Sequence, residues 1–467
     1  MKRIRNSVHG NRQGSALVLT LIFLVMFSAL AVALATVGDT NVQLAENHRV
    51  QGNVRACAES GLEIVRYWMN QVSFSGTTAP GQRFAELAAT FQSELSAAGI
   101  TNIVPVLDSS TISLSNVPLD STSGQSFSAA LTKISDDNVQ LDVTGHYRSI
   151  SRTIRSNYVF GTRAHNAFDF GMASKGPISL SGNIELEGCN IDVESNAYID
   201  CDDVLALSII GNSMIAGEVQ IRNGLASVYL QGGKAGVGGE YGVAALEHIE
   251  IGAAETEFPE MKPQPFYSYA TNVLSATADL SANAVYENLR IPANRNPDFT
   301  GQVTLNGVIY IESPNVVRFS GAVSITGIIV TDGDPSFDPD PNDAIAPQIV
   351  FKGNVTSYPI SQLPAQPQFT GLHEQTGTFM IAPGFRTSFG GSFGMISGAI
   401  AANGVTFYGG AGGTINGSII NYSSYPLTLT GNSDLRFNRS GLTQVPAGFV
   451  PETILHYDPA SYAEVVL

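Results

Sequence analysis

The sequence predicts an α+β chain: a long N-terminal helix, a small α+β unit, and a mainly β remainder read as a parallel β-helix. Three observations carry this. Ala16 to Val37 contains no charge, an amphipathic helical pattern continues beyond it to about Val72, and short Gly-punctuated β runs fill the chain after Arg163. Of 467 residues, 43% are hydrophobic and only 14% charged, so most of the chain folds. With 24 basic and 40 acidic side chains the net charge is −16, which leaves no broad cationic surface and argues against nucleic acid as a partner.

The apolar run comes first. At 1.5 Å per residue Ala16 to Val37 extends about 33 Å, matching a hydrocarbon core of about 30 Å. The first fourteen residues hold Lys2, Arg3, Arg5 and Arg12 and no acid, so they predict a cytoplasmic amino end and a C-terminal part on the far side of the inner membrane, periplasmic or extracellular. A secretory signal cut after Ala35 is the competing reading, but the run is longer than the usual signal core. Val50, Val54, Ala58, Gly61, Leu62, Val65, Trp68, Met69 and Val72 recur at spacings of three and four. Glu59, Glu63, Arg66 and Asn70 occupy much of the opposite side.

Arg12-Gln13-Gly14, the apolar helix that opens at Ser15, and ENHRVQGNVRACAESGLEIVRYW together resemble the N-terminus of PilX-like minor pilins of type IV pilus and related secretion systems, over roughly residues 10–75. The resemblance implies cleavage by a prepilin peptidase between Gly14 and Ser15. It also implies partners among other pilin-type subunits, the pilus assembly machinery and inner-membrane lipid, with Leu17, Leu19, Leu21, Phe23, Leu24 and Phe27 as the membrane-helix assembly surface. Most pilins carry Glu at the fifth residue after the cut, a carboxylate kept in the membrane to pair with a neighbour's amino end. Leu19 stands there in this chain, so entering a fibre, capping one and remaining outside it all stay open.

Residues 76–163 read as a small pilin-like α+β unit. PGQRFAELAATFQSEL predicts a helix, and TISLSNV, NVQLDVTGHY and SRTIRSNYVF alternate as antiparallel strands. SLSGNIEL, LSIIGNSMI, RFSGAVSITG, IVFKGNV and LTLTGNSDL then repeat alternating apolar residues, a hydroxyl, Gly and usually Asn. This predicts stacked rungs with Gly or Asn at positive-φ corners, a β-sandwich being the competing fold. The expected parts are 164–257 and 301–440. A Pro-rich linker or crossover at 258–300 separates them, and an irregular tail over 441–467 caps the end.

Catalytic patterns are scarce, and the expectation is a protein without enzymatic activity. Gly390-Gly391-Ser392-Phe393-Gly394 satisfies GxSxG, but the sequence after it stays β-like where the hydrolase elbow needs a helix. Asp434 and His456 complete a triad order on paper only. His373-Glu374 lacks a second His, so no zinc hydrolase is indicated. Asp332, Asp334, Asp338, Asp340 and Asp343 concentrate oxygen ligands of the kind Ca²⁺ takes, a solvated loop being the weightier reading. Asp200, Asp202 and Asp203 form a smaller cluster. A surface-anchored β-helix enzyme acting on polysaccharide therefore stays open as the second function. Cys189 and Cys201 are a candidate disulfide in an exported region, and Cys57 reads as a small apolar side chain of the helix. No other cofactor is expected; a surface ligand for adhesion or partner contact is.

Overall fold

The computed structural model describes residues 12–120, 122, 124–440 and 444–465. The basic leader up to residue 11 lies outside them. Two compact units share the chain: one holds residues up to Phe74, Thr78–Gly161 and Ile454 onward, the other Ser75–Thr77 and Thr162–Thr453.

In the first unit, helix α1 (Arg12–Gln71) is a single 60-residue element. Its N-terminal half exposes every described side chain up to Leu44. The burial pattern then changes, and Val50, Val54, Cys57, Ala58, Leu62, Val65 and Met69 are buried at the helical spacing the sequence shows. They cover one face of an antiparallel sheet built from β1 (Ser73–Ser75), β2 (Val106–Asp108), β3 (Thr111–Asp120), β4 (Gln125–Lys133), β5 (Asn138–Tyr147) and β6 (Ile150–Arg163). Helix α2 (Arg83–Ala97) adds Phe84, Leu87, Ala88, Phe91 and Leu95 to the same core. Gly145 lets β5 cross α1 at backbone contact, since a Cβ there would stand 2.4 Å from the Val54 carbonyl oxygen. At the helix surface Glu46 accepts from Arg49 and Arg148, and those two hydrogen bonds hold its carboxyl down to about 2.

The C-terminal segment differs from expectation. Rather than an irregular cap over 441–467, Glu452–Val465 is a strand that pairs between β1 and β6 in the first unit's sheet. Pro459 is tolerated within this strand, although Pro446, Pro451 and Pro459 made the segment read as irregular chain.

The second unit is a coil of parallel strands whose rungs each turn through up to three sheets. Sheet I includes Met172–Ser174, sheet II Ile178–Gly182 and sheet III Glu185–Gly188. The winding begins in the middle of the stack. From the Met172 rung the chain runs outward through Ala197, Val219 and Ile249, which are successive register partners in sheet I. It then crosses over and resumes at Asn272–Val273 at the opposite edge of sheet I. From there it winds back until Ile419–Asn421 pairs in parallel with Met172–Ser174, Leu427–Gly431 with Ile178–Gly182, and Leu435–Phe437 with Leu186–Gly188. The last rung of the second coil thus stacks directly on the first rung of the first coil.

The crossover expected over 258–300 is shorter than the sequence suggested. Ala284–Glu287, Leu289–Ile291 and Asp298–Phe299 already belong to the second coil. These strands are only two to four residues long and lack the Gly-Asn signature, so their alternation was too brief to read. The Pro-rich stretch contributes Met261, Phe266 and Ala270 to a second core on the outer side of sheet I, together with Ile360, Leu363, Phe369 and Phe449. Both faces of that sheet are therefore covered, which explains continuous apolar strands such as Thr378–Ala382.

Inside the coil, sheet II stacks like residues on like. Phe299, Phe319, Phe351, Phe389 and Phe407 are register partners, with successive ring centroids 5.1, 5.1, 4.9 and 5.1 Å apart and planes within 11° of parallel. Leu429, Leu180, Ile209 and Leu230 continue the column. At the following corner Gly431, Gly182 and Gly211 stand in register at φ 89°, 137° and 90°, each succeeded by Asn. A Cβ at Gly182 would meet the Gly431 carbonyl oxygen at 2.2 Å, so backbone conformation and rung spacing both demand glycine there.

Removing a ring from the middle of the column opens a cavity that the flanking Phe319 and Phe389 rings cannot fill. Phe351→Ala is expected to cost about 3–5 kcal/mol and to lower the denaturation midpoint measured by far-ultraviolet circular dichroism. Ile210→Ala, which points outward from the same sheet, is expected to change it by less than about 1 kcal/mol.

Candidate functional site

Gly14 and Ser15 lie in the first turn of α1. Beyond them Leu17, Leu19, Leu21, Phe23, Leu24 and Phe27 are each exposed by half or more, and the Phe23 and Phe27 rings stack at 6.3 Å. Between Leu17 and Phe27 the one polar side chain is Thr20, which returns its hydroxyl proton to the Leu17 carbonyl. Among the described residues this is the one helix long and apolar enough to cross a membrane. Leu19 offers no carboxylate, so any neighbour meets hydrocarbon there.

The acidic loop does not form the convergent site its composition suggested. Asp332 accepts from the Ser313 amide, Asp334 from Ser336, Asp340 from the Asn342 amide and Asp343 from the Ile345 amide. Asp338 binds the Ser423 hydroxyl at 2.5 Å and the Ser424 amide and hydroxyl at 2.8 and 2.7 Å. Each carboxylate is thus committed to a local turn or to a neighbouring rung. Among the described residues no three His, Cys, Asp or Glu side chains come together as metal ligands. The smaller cluster is held by a base, with Arg222 donating to both Asp200 and Asp202.

The cysteines are all free, so the candidate 189–201 disulfide is not formed. Cys201 is buried in the coil core and burial pushes its thiol up, whereas Cys189 is exposed just after a sheet III strand. Twelve residues of chain separate them, but they sit at different corners of the rung. Ser392 has no hydrolase geometry either: its hydroxyl donates to Asn354 at 3.4 Å, and the chain continues into the strand Met395–Ile396. Asp434 accepts from the Glu185 amide. His373 Nε2 lies 3.0 Å from the Leu363 carbonyl oxygen, which places it in local structure.

Two features escaped the sequence reading. Glu185 and Glu187 share the outer side of one sheet III strand, and the nearby Glu187 charge raises the Glu185 carboxyl, with burial adding to it. The alternation in Ile184-Glu185-Leu186-Glu187 carried this signal. The second is a buried ionic group in the second unit. Arg163 Nε donates to Glu452 at 2.7 Å and His165 Nδ1 lies 3.1 Å from it, with Glu452 only 5% exposed. Burial raises this carboxyl, but the contacts from His165 and Arg163 outweigh that and hold it below its usual value. Residues 289 positions apart in the chain create it, so no local pattern could show it.

An apolar helix long enough for a bilayer runs unbroken into the helix buried against the first unit's sheet. Residues 13–63 match the PilX N-terminal family, so this segment is similar to a PilX-like pilin N-terminal region. The chain is also similar to the crystal structure of the competence-associated pilin ComZ from Thermus thermophilus, at 10% identity and a TM-score of 0.23, over 89% of this chain and 97% of that one. No curated protein matches.

Because the folded Glu452 carboxyl is depressed, its contribution to stability is present above about pH 4.3, the unfolded value, and is lost as the pH falls below it. Glu452→Gln is expected to lower stability by about 1.5–3 kcal/mol at pH 7. Denaturant titrations at pH 7 and pH 3 are expected to show the gap between variant and wild type closing at the lower pH.

Proposed function

We propose that the protein is a membrane-anchored, minor-pilin-like structural component of a type IV pilus or a related secretion or assembly system. The observation that carries this reading is the PilX-type segment at 13–63, whose exposed apolar half is continuous with the helix buried in the first unit's core. In this reading the amino end stays in the cytoplasm, in keeping with the four bases ahead of the apolar run, and the first unit's sheet and the whole second unit lie beyond the inner membrane. Prepilin peptidase cuts between Gly14 and Ser15. The surface from Leu17 to Phe27 then packs against the apolar helices of other pilin-type subunits or against lipid.

Leu19 gives this assembly a direction. A subunit without the membrane carboxylate cannot pair with a neighbour's amino end at that position, which suits an initiating or capping place better than the repeating part of a fibre. The second unit's work is presentation: a stack of rungs fixed by backbone pairing and a dry core offers a rigid outer surface for adhesion or for another protein. No catalytic step and no cofactor belong to this reading.

Processing is read out by mass spectrometry of the protein extracted from membranes of cells that contain a prepilin peptidase. The expected amino-terminal residue is Ser15, and Gly14→Val is expected to leave the leader attached. A mature start at Thr36 would contradict the reading by making the chain a cleaved, unanchored export. A wild-type start at Met1 in those cells would reduce the segment to a plain anchor.

A further inference from the structure

The outer side of sheet II has a composition unlike the rest of this acidic protein. Ser208, Ser179, Thr428, Thr406 and Ser388 are consecutive register partners across five parallel strands, each on the outward side opposite the buried Leu and Phe column. At the spacing of paired strands their hydroxyls recur about every 4.8 Å. A second outward row two residues along, Thr430, Ser181, Ile210 and Gln231, runs beside the first at about 6.6 Å and carries hydroxyls only at Thr430 and Ser181. All of these side chains are at least partly exposed. Of the first row only Thr428 uses its hydroxyl within the protein, donating to the Pro426 carbonyl at 3.2 Å.

Aromatic rings stand on the same face. Tyr408 directly follows the strand Val405–Phe407, and its ring lies on Gly390, where a Cβ would be 2.4 Å from the ring carbon bearing the hydroxyl. Gly390 thus keeps the ring down against the sheet. At the other end Tyr229 is the register partner of Ser208 and is 44% exposed. No charged side chain stands between them in either row; Arg386, two residues before Ser388 on its strand, donates to the Asp340 carbonyl, and Arg318 and Lys352 lie on strands beyond Ser388.

We infer that this face binds an uncharged polysaccharide chain. A pyranose ring has an apolar C–H face that lies on an aromatic ring and a rim of hydroxyls that both donate and accept. The sheet answers both requirements, with Tyr408 and Tyr229 as platforms and rows of hydroxyls that also donate and accept. An apolar protein surface laid here would strip water from the hydroxyl rows without replacing their hydrogen bonds. A phosphate-bearing or sulfated polymer would find no cation within the rows. The inference rests on the proposed presenting role of the second unit and gives that role a ligand class.

The test uses the full chain in detergent, with microcrystalline cellulose and chitin as probes in a sedimentation assay. Binding to at least one of them is expected. Because no ion pairs form, its affinity should change less than about twofold between 0.05 and 1 M NaCl. Thr406→Lys, Thr428→Lys and Tyr408→Ser are each expected to weaken it at least about tenfold, a loss of about 1.4 kcal/mol. Thr414→Lys, on sheet III, should bind as wild type, and circular dichroism should show all four variants folded. Failure of wild-type protein to sediment with either glycan would overturn the inference, as would full binding by the folded Thr406 and Tyr408 variants. Crosslinking of the same preparations to pilin-type subunits through α1 separates the two claims: retained crosslinking without glycan binding overturns this inference alone.

Discussion

Parallel pairing between rungs is the constraint on which the second unit depends, and its most consequential instance joins strands far apart in the chain. Ile419–Asn421 lies beside Met172–Ser174, so the coil begins and ends on adjacent rungs. This seam turns two coils into one continuous stack with one dry core. A parallel strand leaves little freedom in where its neighbour sits, because every residue that repeats in register also repeats its burial and its corner geometry. The Phe column and the Gly corner column are two expressions of that single rule.

The seam also accounts for the chain's order. Because the coil starts and finishes in its own middle, the polypeptide leaves the unit on the rung next to the one where it began. It can then contribute Glu452–Val465 to the sheet that contains β6, so in chain order the coil's residues fall between two strands of one sheet. Buried His165 and Glu452, with the half-buried Arg163, tie the incoming and outgoing segments together within the second unit. An ionic contact of this burial holds geometry more than it adds stability, since desolvation offsets much of its attraction.

The parts legible in the sequence were those with a sustained local period. The apolar run, the three-and-four spacing from Val50 to Met69 and the Gly-Asn corners each repeat often enough to be read without partners. What escaped was decided by distant residues. The strands between Asn272 and Phe299 are too short to show alternation, and the final strand looked irregular because Pro446, Pro451 and Pro459 outweighed its β-prone residues. The acidic loop left two readings open for a related reason: Asp and Asn spaced two apart suit turn capping as well as they suit cation binding, and the hydrogen bonds of Asp334, Asp340 and Asp343 show the former use. Of the candidate site, the apolar surface from Leu17 to Phe27 was fully readable. The outward hydroxyl rows were visible as a repeat, but their alignment depends on the seam.

The seam is most directly tested by engineered crosslinking. Ser179 and Thr428 are register partners across it, and their Cα separation of about 4.8 Å lies in the range a disulfide spans. In a Cys189→Ser background, Ser179→Cys with Thr428→Cys is predicted to oxidise to an intramolecular bridge, seen as a single peptide pair by mass spectrometry. Moving the second cysteine to Ser388, two rungs further along, should abolish it. Bridging by the Ser388 pair with none at Thr428, or by neither, would contradict a coil that closes on its own first rung.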